Sequence, residues 1–326
     1  MSNTRFPLLT HVLFFSALAF LAGACAPGDD AALASRSKRV FGTLPDTMPG
    51  SDTDTEAMVR LGHELFTSTE LSVNRTQSCN TCHRLDAAGV DRLVRSPGAE
   101  GGAGSRNTPT VFNAGLHTAQ FWDGRAKTLE EQAAGPILNP VEMAMPSEEE
   151  ILTRLRTSPL REKFVEAFPG DPEPVSMKNL STAIAAFQRT LITRDRFDEF
   201  QSGDYDALTP QEKLGLQSFM ETGCVSCHGG PLLGGHIFQK VGIVNPYPNT
   251  EDLGVAAVTD LPRDRYVFKV PALRNVALTA PYFHDGAVSE LPDAVEQMAW
   301  LQLGRELPQQ DRDAIVAFLG ALSGEE

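Results

Sequence analysis

Two five-residue stretches carry the most chemistry in this sequence: CNTCH, Cys79 to His83, and CVSCH, Cys224 to His228. A pair of thiols with two residues between them, followed directly by an imidazole, is the attachment pattern of c-type haem. Both sulfurs form thioethers and the histidine meets one face of the iron. A zinc half-site or a redox dithiol has no need of the adjoining histidine. The pattern predicts two covalently bound haem c groups, held by Cys79, Cys82, Cys224 and Cys227, with His83 and His228 as proximal ligands. What distinguishes the two haems must lie on their opposite faces.

Covalent haem attachment takes place outside the cytoplasm, so the chain needs an export signal. Arg5 followed by VLFFSALAFLAGA, Val12 to Ala24, has the charged start, apolar run and small-residue end of a secretory signal. The run is short for a membrane span, although an uncleaved anchor helix is the alternative. Residues 1–24 are read as this signal and the mature protein as periplasmic. Four of the five cysteines belong to the haem motifs, so no disulfide framework is implied and Cys25 is left over. LAGAC resembles a bacterial lipobox, with Ala22 where leucine is usual, and a lipid on Cys25 would tether the protein without spanning the membrane. Residues 25–50 are small, polar and rich in Pro and Gly, and read as a flexible linker.

The net charge is −14; residues 1–24 hold Arg5 and no acid, so the remainder carries −15. Such a chain is not a nucleic-acid binder. The charge suits encounter with a basic redox protein, and equally a solvated acidic surface.

The elements that must position the haems read as helices. Met58, Leu61 and Leu65 recur at helical spacing within Ser51 to Phe66, and Leu180, Ile184, Phe187 and Leu191 form a stripe in residues 176–193. Thr128 with Glu131, Ser147 with Glu150 and Thr209 with Glu212 have capping-box spacing, the last with Pro210 at the first helical position. A final helix is predicted over 309–322. Strand alternation is scarce, so the fold class is all-α. A helix leading into each CxxCH suggests two cytochrome c-like domains, 51–205 and 206–326, divided within GDYDAL at 203–208.

Two longer strings, RNTPTVFNAGLHTAQFWDGRAKTLEEQAAGPILNPVEM (Arg106 to Met143) and FKVPALRNVALTAPYFHDGAV (Phe268 to Val288), resemble the bacterial di-haem cytochrome c peroxidases and their MauG-like relatives. The resemblance runs from about residue 58 to 322. It implies a peroxidase that reduces hydrogen peroxide to water with electrons from a small cytochrome c or cupredoxin. By the same resemblance, Met298 in LPDAVEQMAWLQLG is the sixth ligand of the C-terminal haem, where MauG has a tyrosine. A thioether there raises the haem potential relative to bis-histidine and closes the iron to substrate. Glu142 in NPVEM and Gln132 in LEEQA fall at the peroxide pocket of the N-terminal haem, Trp122 in FWDGR on the electron path, and Asn107 with the backbone carbonyls of Thr279 and Pro281 at a calcium site between domains. Isolated, each has a plainer reading: a core methionine, a surface acid, a packed aromatic. The family is often dimeric, which makes a homodimer an expectation.

One departure stands out. Most members of the family that the chain resembles carry a histidine in the loop after the first CxxCH that ligates the N-terminal iron at rest; here the loop reads RLDAAGVDRLVRSPGAEGGAGSRNTP, and ungapped counting puts Ala99 at that place. His117 is the one histidine left to substitute for it. Two other readings remain: a MauG-like oxidase of a partner protein, against which Met298 counts, and a plain di-haem electron carrier, for which Glu142 and Gln132 would have no use.

Overall fold

The computed structural model describes residue 1 and residues 27–324; the signal segment from residue 2 to 24 and Cys25 lie outside the described residues. Among the described residues are twelve α-helices. In the first half these are α1 (Pro27–Phe41), α2 (Glu56–Thr67), α3 (Cys79–Cys82), α4 (Leu129–Leu138), α5 (Glu148–Thr157), α6 (Leu160–Ala167) and α7 (Met177–Gln188). There follow α8 (Arg196–Ser202), α9 (Pro210–Thr222), α10 (Ala256–Thr259), α11 (Leu291–Met298) and α12 (Gln309–Ala321). Strands β1 (Phe238–Lys240) and β2 (Val267–Lys269) pair antiparallel, with Phe238 opposite Lys269. The fold is all-α apart from this small sheet.

Each half is built on a crossed helix pair that meets at a glycine. A Cβ on Gly62 in α2 would lie 1.9 Å from the carbonyl oxygen of Ala183 in α7, and a Cβ on Gly215 in α9 would lie 1.9 Å from that of Ala314 in α12. Only a residue without a side chain lets the backbones come so close. Thr55 caps α2 by accepting from Met58 N–H, and Thr209 with Glu212 closes a full capping box ahead of Pro210 on α9. Such a cap is worth about 1 kcal/mol. The predicted helices therefore form at their expected places, each shortened by a residue or more at an end.

Two apolar clusters surround the crossings. Leu61, Leu65, Phe66, Ile137, Phe164 and Ile184 belong to the first, and Phe197, Phe200, Leu216, Phe219, Phe318 and Leu319 to the second. Phe197 and Phe200 sit on α8, so the expected boundary at 205/206 comes one helix after the packing has already passed to the second cluster.

The linker expectation for residues 25–50 fails over its described part. Residues 27–41 are helical and their Ala34 and Phe41 are buried in the second cluster, Phe41 meeting Phe197 edge to face at 5.6 Å and Phe219 at 6.3 Å. Lys213 in α9 pairs with Asp30 at 2.7 Å. Burying one phenylalanine stabilises by about 1.5–3 kcal/mol, and here the partner rings come from distant sequence. Leu44 and Met48 continue the buried path toward the first half, where Met48 lies against Gly115.

The halves also repeat one another in detail. Asn113 and Asn275 both take positive φ (61° and 63°), as do Phe121 and Phe283 (64° and 70°). Bridges Gln120–Ala126 and Tyr282–Val288 close the same loop, Phe-Trp-Asp-Gly in one half and Phe-His-Asp-Gly in the other. All of these pairs share one sequence offset, which matches Trp122 to His284, Asn107 to Lys269, His117 to Thr279 and Ala119 to Pro281. The structure honours the match at the junction: Asn107 N–H donates to His284 O and Lys269 N–H donates to Trp122 O, both at 2.8 Å.

Candidate active site

α3 and the 3-10 turn at Cys224–Ser226 present the two CxxCH motifs to two separate cavities. The four cysteines are free and half-buried. Burial pushes the Cys79 thiol up to about 12 and the Cys224 thiol up to about 11, which keeps them protonated and unlike reactive thiolates. His83 donates from Nδ1 to Pro109 O at 3.0 Å, and His228 from Nδ1 to Leu233 O at 2.9 Å. Burial lowers both imidazoles, His228 to about 4, so each is neutral with its proton on Nδ1 and a lone pair on Nε2. That is the arrangement an axial iron ligand requires. Free thiols, oriented imidazoles and cavities beside both motifs fit haem at each site.

The cavities differ in chemistry. The C-terminal one is almost wholly apolar, with Leu291, Ala294, Val295 and Met298 lining it beside His228; Met298 is the last residue of α11, where the helix runs on into a π turn at Ala299–Leu303. The N-terminal one is markedly more polar and holds Gln132 from α4 and Glu142 from the following loop, together with His83. Burial raises the Glu142 carboxyl above the ordinary carboxylate range, with Arg125 and Asn139 pulling the other way. Glu131 is turned outward instead, its carboxylate accepting from Lys127 N–H at the start of α4, as its capping position predicts.

The loop without a histidine lies against this pocket. Ala99 is buried, its N–H donates to Glu142 O at 2.7 Å and its carbonyl accepts from Asn74 Nδ2. His117 has its Nδ1 2.7 Å from the ammonium of Lys269, which places the imidazole proton on Nε2. A protonated Nε2 has no lone pair for iron, so this geometry speaks against His117 as the substitute ligand.

Between the cavities stands Trp122, which lines both of them and donates from Nε1 to Asn107 O at 2.9 Å. Asn107 is buried and uses Nδ2 on Leu93 O at 2.8 Å, leaving Oδ1 free; among the described residues no hydrogen bond reaches the carbonyls of Thr279 or Pro281. Neutral oxygens of this kind are the ligand type that suits a hard cation such as calcium. The sequence reading missed the charges here. Arg106 pairs with Asp123 and Asp252, both at 2.6 Å, and Lys269 is 7% exposed beside Trp122. Of these, Lys269 differs in charge from its counterpart Asn107, a contrast that comparison of the two halves brings out.

An all-α fold that brings two CxxCH motifs to two unlike cavities defines a di-haem c-type cytochrome. The profile of the family "Di-haem cytochrome c peroxidase" matches residues 56–206. The chain is 47% identical over 287 residues to cytochrome c peroxidase Ccp of Escherichia coli K12, covering 86% of this chain and 60% of that protein's length. It is 44% identical over 303 residues to cytochrome c551 peroxidase of Pseudomonas aeruginosa PAO1, covering 90% of this chain and 87% of the other. Among solved structures, a MauG-like protein associated with microbial copper homeostasis superposes with TM-score 0.77 at 30% identity, covering 86% of this chain and 94% of that one. The chain belongs to the di-haem cytochrome c peroxidase and MauG-like family, and it uses c-type haem as that family does.

Proposed function

We propose that the protein reduces hydrogen peroxide to two waters in the periplasm, taking two electrons from a small cytochrome c or cupredoxin and two protons from solvent. The observation that carries this reading is the contrast between the two cavities, one apolar around Met298 and one polar around Glu142 and Gln132. The peroxidase relatives, at 44% and 47% identity, are also nearer than the MauG-like structure at 30%.

Haem held by His83 supplies the redox chemistry at the peroxide site. Glu142 takes a proton from one peroxide oxygen and returns it to the other as the O–O bond breaks, work for a carboxyl whose pKa is raised toward the operating pH. Gln132 orients the peroxide by hydrogen bonding. Met298 would hold the C-terminal haem iron through its thioether and suit that haem to electron transfer, which would also separate the protein from MauG-type oxidation of a partner. Trp122 lies on the path between the cavities. Asn107 Oδ1 and the carbonyls of Thr279 and Pro281 hold calcium at the junction. Cys25 carries a lipid tether.

Peroxide turnover with reduced cytochrome c tests the reading. Wild-type protein turns over and Glu142→Gln, with both haems still attached, is slower by orders of magnitude; equal rates, or no turnover by either, would leave only electron carriage or protein oxidation.

A further inference from the structure

Lys269 is a buried ammonium that the peroxide chemistry above does not use. Its Nζ donates to Ala119 O at 2.9 Å and lies 2.7 Å from His117 Nδ1. It shares with Trp122 the distinction of lining both haem cavities. Its two partners are the repeat counterparts of Pro281 and Thr279, and Lys269 itself is the counterpart of Asn107. The reciprocal hydrogen bonds to His284 O and Trp122 O fix that correspondence in space and not only in sequence.

We infer that Lys269 is the resident cation of the N-terminal half, its ammonium standing where the other half offers Asn107, Thr279 and Pro281 to calcium, and that it sets the charge of the wall between the two haems. This rests on the calcium reading for the assignment of equivalence, though not for the charge effect. The donor sets agree with it atom for atom at one position, while at the other the His117 side-chain Nδ1 stands in for the Thr279 carbonyl. Ala119 O is occupied by Nζ, whereas its counterpart Pro281 O accepts no hydrogen bond among the described residues.

The electrostatics supply a reason for a cation. Haem c carries two carboxylates, and a buried carboxylate near a low-polarity wall needs a positive partner. The charged or titratable groups facing Lys269 are His117 and Asp123. Burial, partly offset by the attraction of Asp123, pulls the ammonium down to about 7, so anionic haem edges nearby would hold it protonated. His117, with its proton on Nε2, presents a buried donor without a protein partner at the same wall, suited to an oxygen of the N-terminal haem. Lys269 is thus a positioning residue: it touches neither peroxide nor iron, and acts by favouring the reduced, less positive state more than a neutral residue in its place would.

That last statement fixes the sign. A nearby positive charge stabilises the ferrous form, so losing it lowers the reduction potential. Spectroelectrochemical titration of the holoprotein is the test, with covalent haem content as the check on folding. Lys269→Met should shift the haem potentials downward, and Lys269→Arg should leave them near wild type. Lys269→Asn, which gives this position the residue its counterpart carries, should be lowered in chelator and recover on addition of calcium, with one more calcium bound per chain than in wild type. Unchanged potentials in Lys269→Met, or an equal shift in Lys269→Arg, overturn the inference. A wild type that binds no calcium sinks the calcium reading instead and with it the equivalence, while the Lys269→Met shift stands or falls by itself.

Discussion

The indole of Trp122 and the imidazole of His284 meet edge to face, ring centroids 6.5 Å apart, each ring occupying the same place in its own half of the chain. Phe268 stacks on the His284 ring at 4.1 Å. Trp122 borders both cavities, so this aromatic contact spans the wall that separates them. The consequences for reactivity depend on what each cavity offers.

Glu142 is placed to work as a base, and a base works only when ionised. Since burial raises its carboxyl, kcat/KM for peroxide should fall as pH drops through a value above the ordinary glutamate range. Glu142→Gln should lose about 10²- to 10⁴-fold in rate and lose that acid limb as well. A pH–rate profile decides it; an acid limb that survives in the variant assigns the proton to another group.

Met298→Ala should open the C-terminal iron and lower its potential, because a thioether is replaced by water or nothing. Loss of the low-spin spectrum of that haem and a downward shift in redox titration are expected. An unchanged titration would remove Met298 from the ligand set.

Ala99 lies in the loop after the first CxxCH, which holds no histidine, and its backbone is committed at both ends, to Glu142 O and Asn74. The N-terminal haem of the fully oxidised protein should therefore be high-spin, five-coordinate or water-ligated, and peroxide turnover should start without a lag or pre-reduction. Absorption and EPR spectra showing two low-spin haems would contradict this.

Gly62→Ala and Gly215→Ala should each lower thermal stability, since the added methyl would meet a backbone carbonyl at 1.9 Å and push a helix pair apart. Overpacking of this kind costs about 1–3 kcal/mol or more. Gly320→Ala in α12, where a Cβ meets nothing within 4 Å, is the control and should be neutral or slightly stabilising. Equal melting temperatures for all three would contradict the crossing as described.

The haem motifs and most long helices were legible because they are local: a CxxCH needs five residues, and α9 announces itself by Thr209, Pro210 and Glu212. α1 was not legible. Its segment holds three large apolar residues, Leu33, Val40 and Phe41, of which only Phe41 is fully buried, and what makes that sufficient is a pair of rings, Phe197 and Phe219, supplied from far along the chain. Lys269 was equally hidden, since a lysine inside FKVPALRN looks like any other until Ala119 and His117 are seen around its ammonium. The peroxide pocket falls between these cases. Glu142 and Gln132 stand out only within their longer strings, and it takes the folded chain to bring them into one cavity with His83.

The reciprocal hydrogen bonds, Asn107 to His284 and Lys269 to Trp122, have the i-to-j and j-to-i form that a two-fold axis imposes on an isologous interface. In a homodimer of one-haem subunits every substitution at such an interface would appear twice, and a lysine on one side would face its own copy's lysine. Joining the two copies in a single polypeptide releases that constraint. Asparagine can then stand opposite lysine, and tryptophan opposite histidine, with the backbone frame unchanged. A preferred direction for the electron is a property that a strictly symmetric pair cannot encode, and the covalent link between the halves is what makes it available.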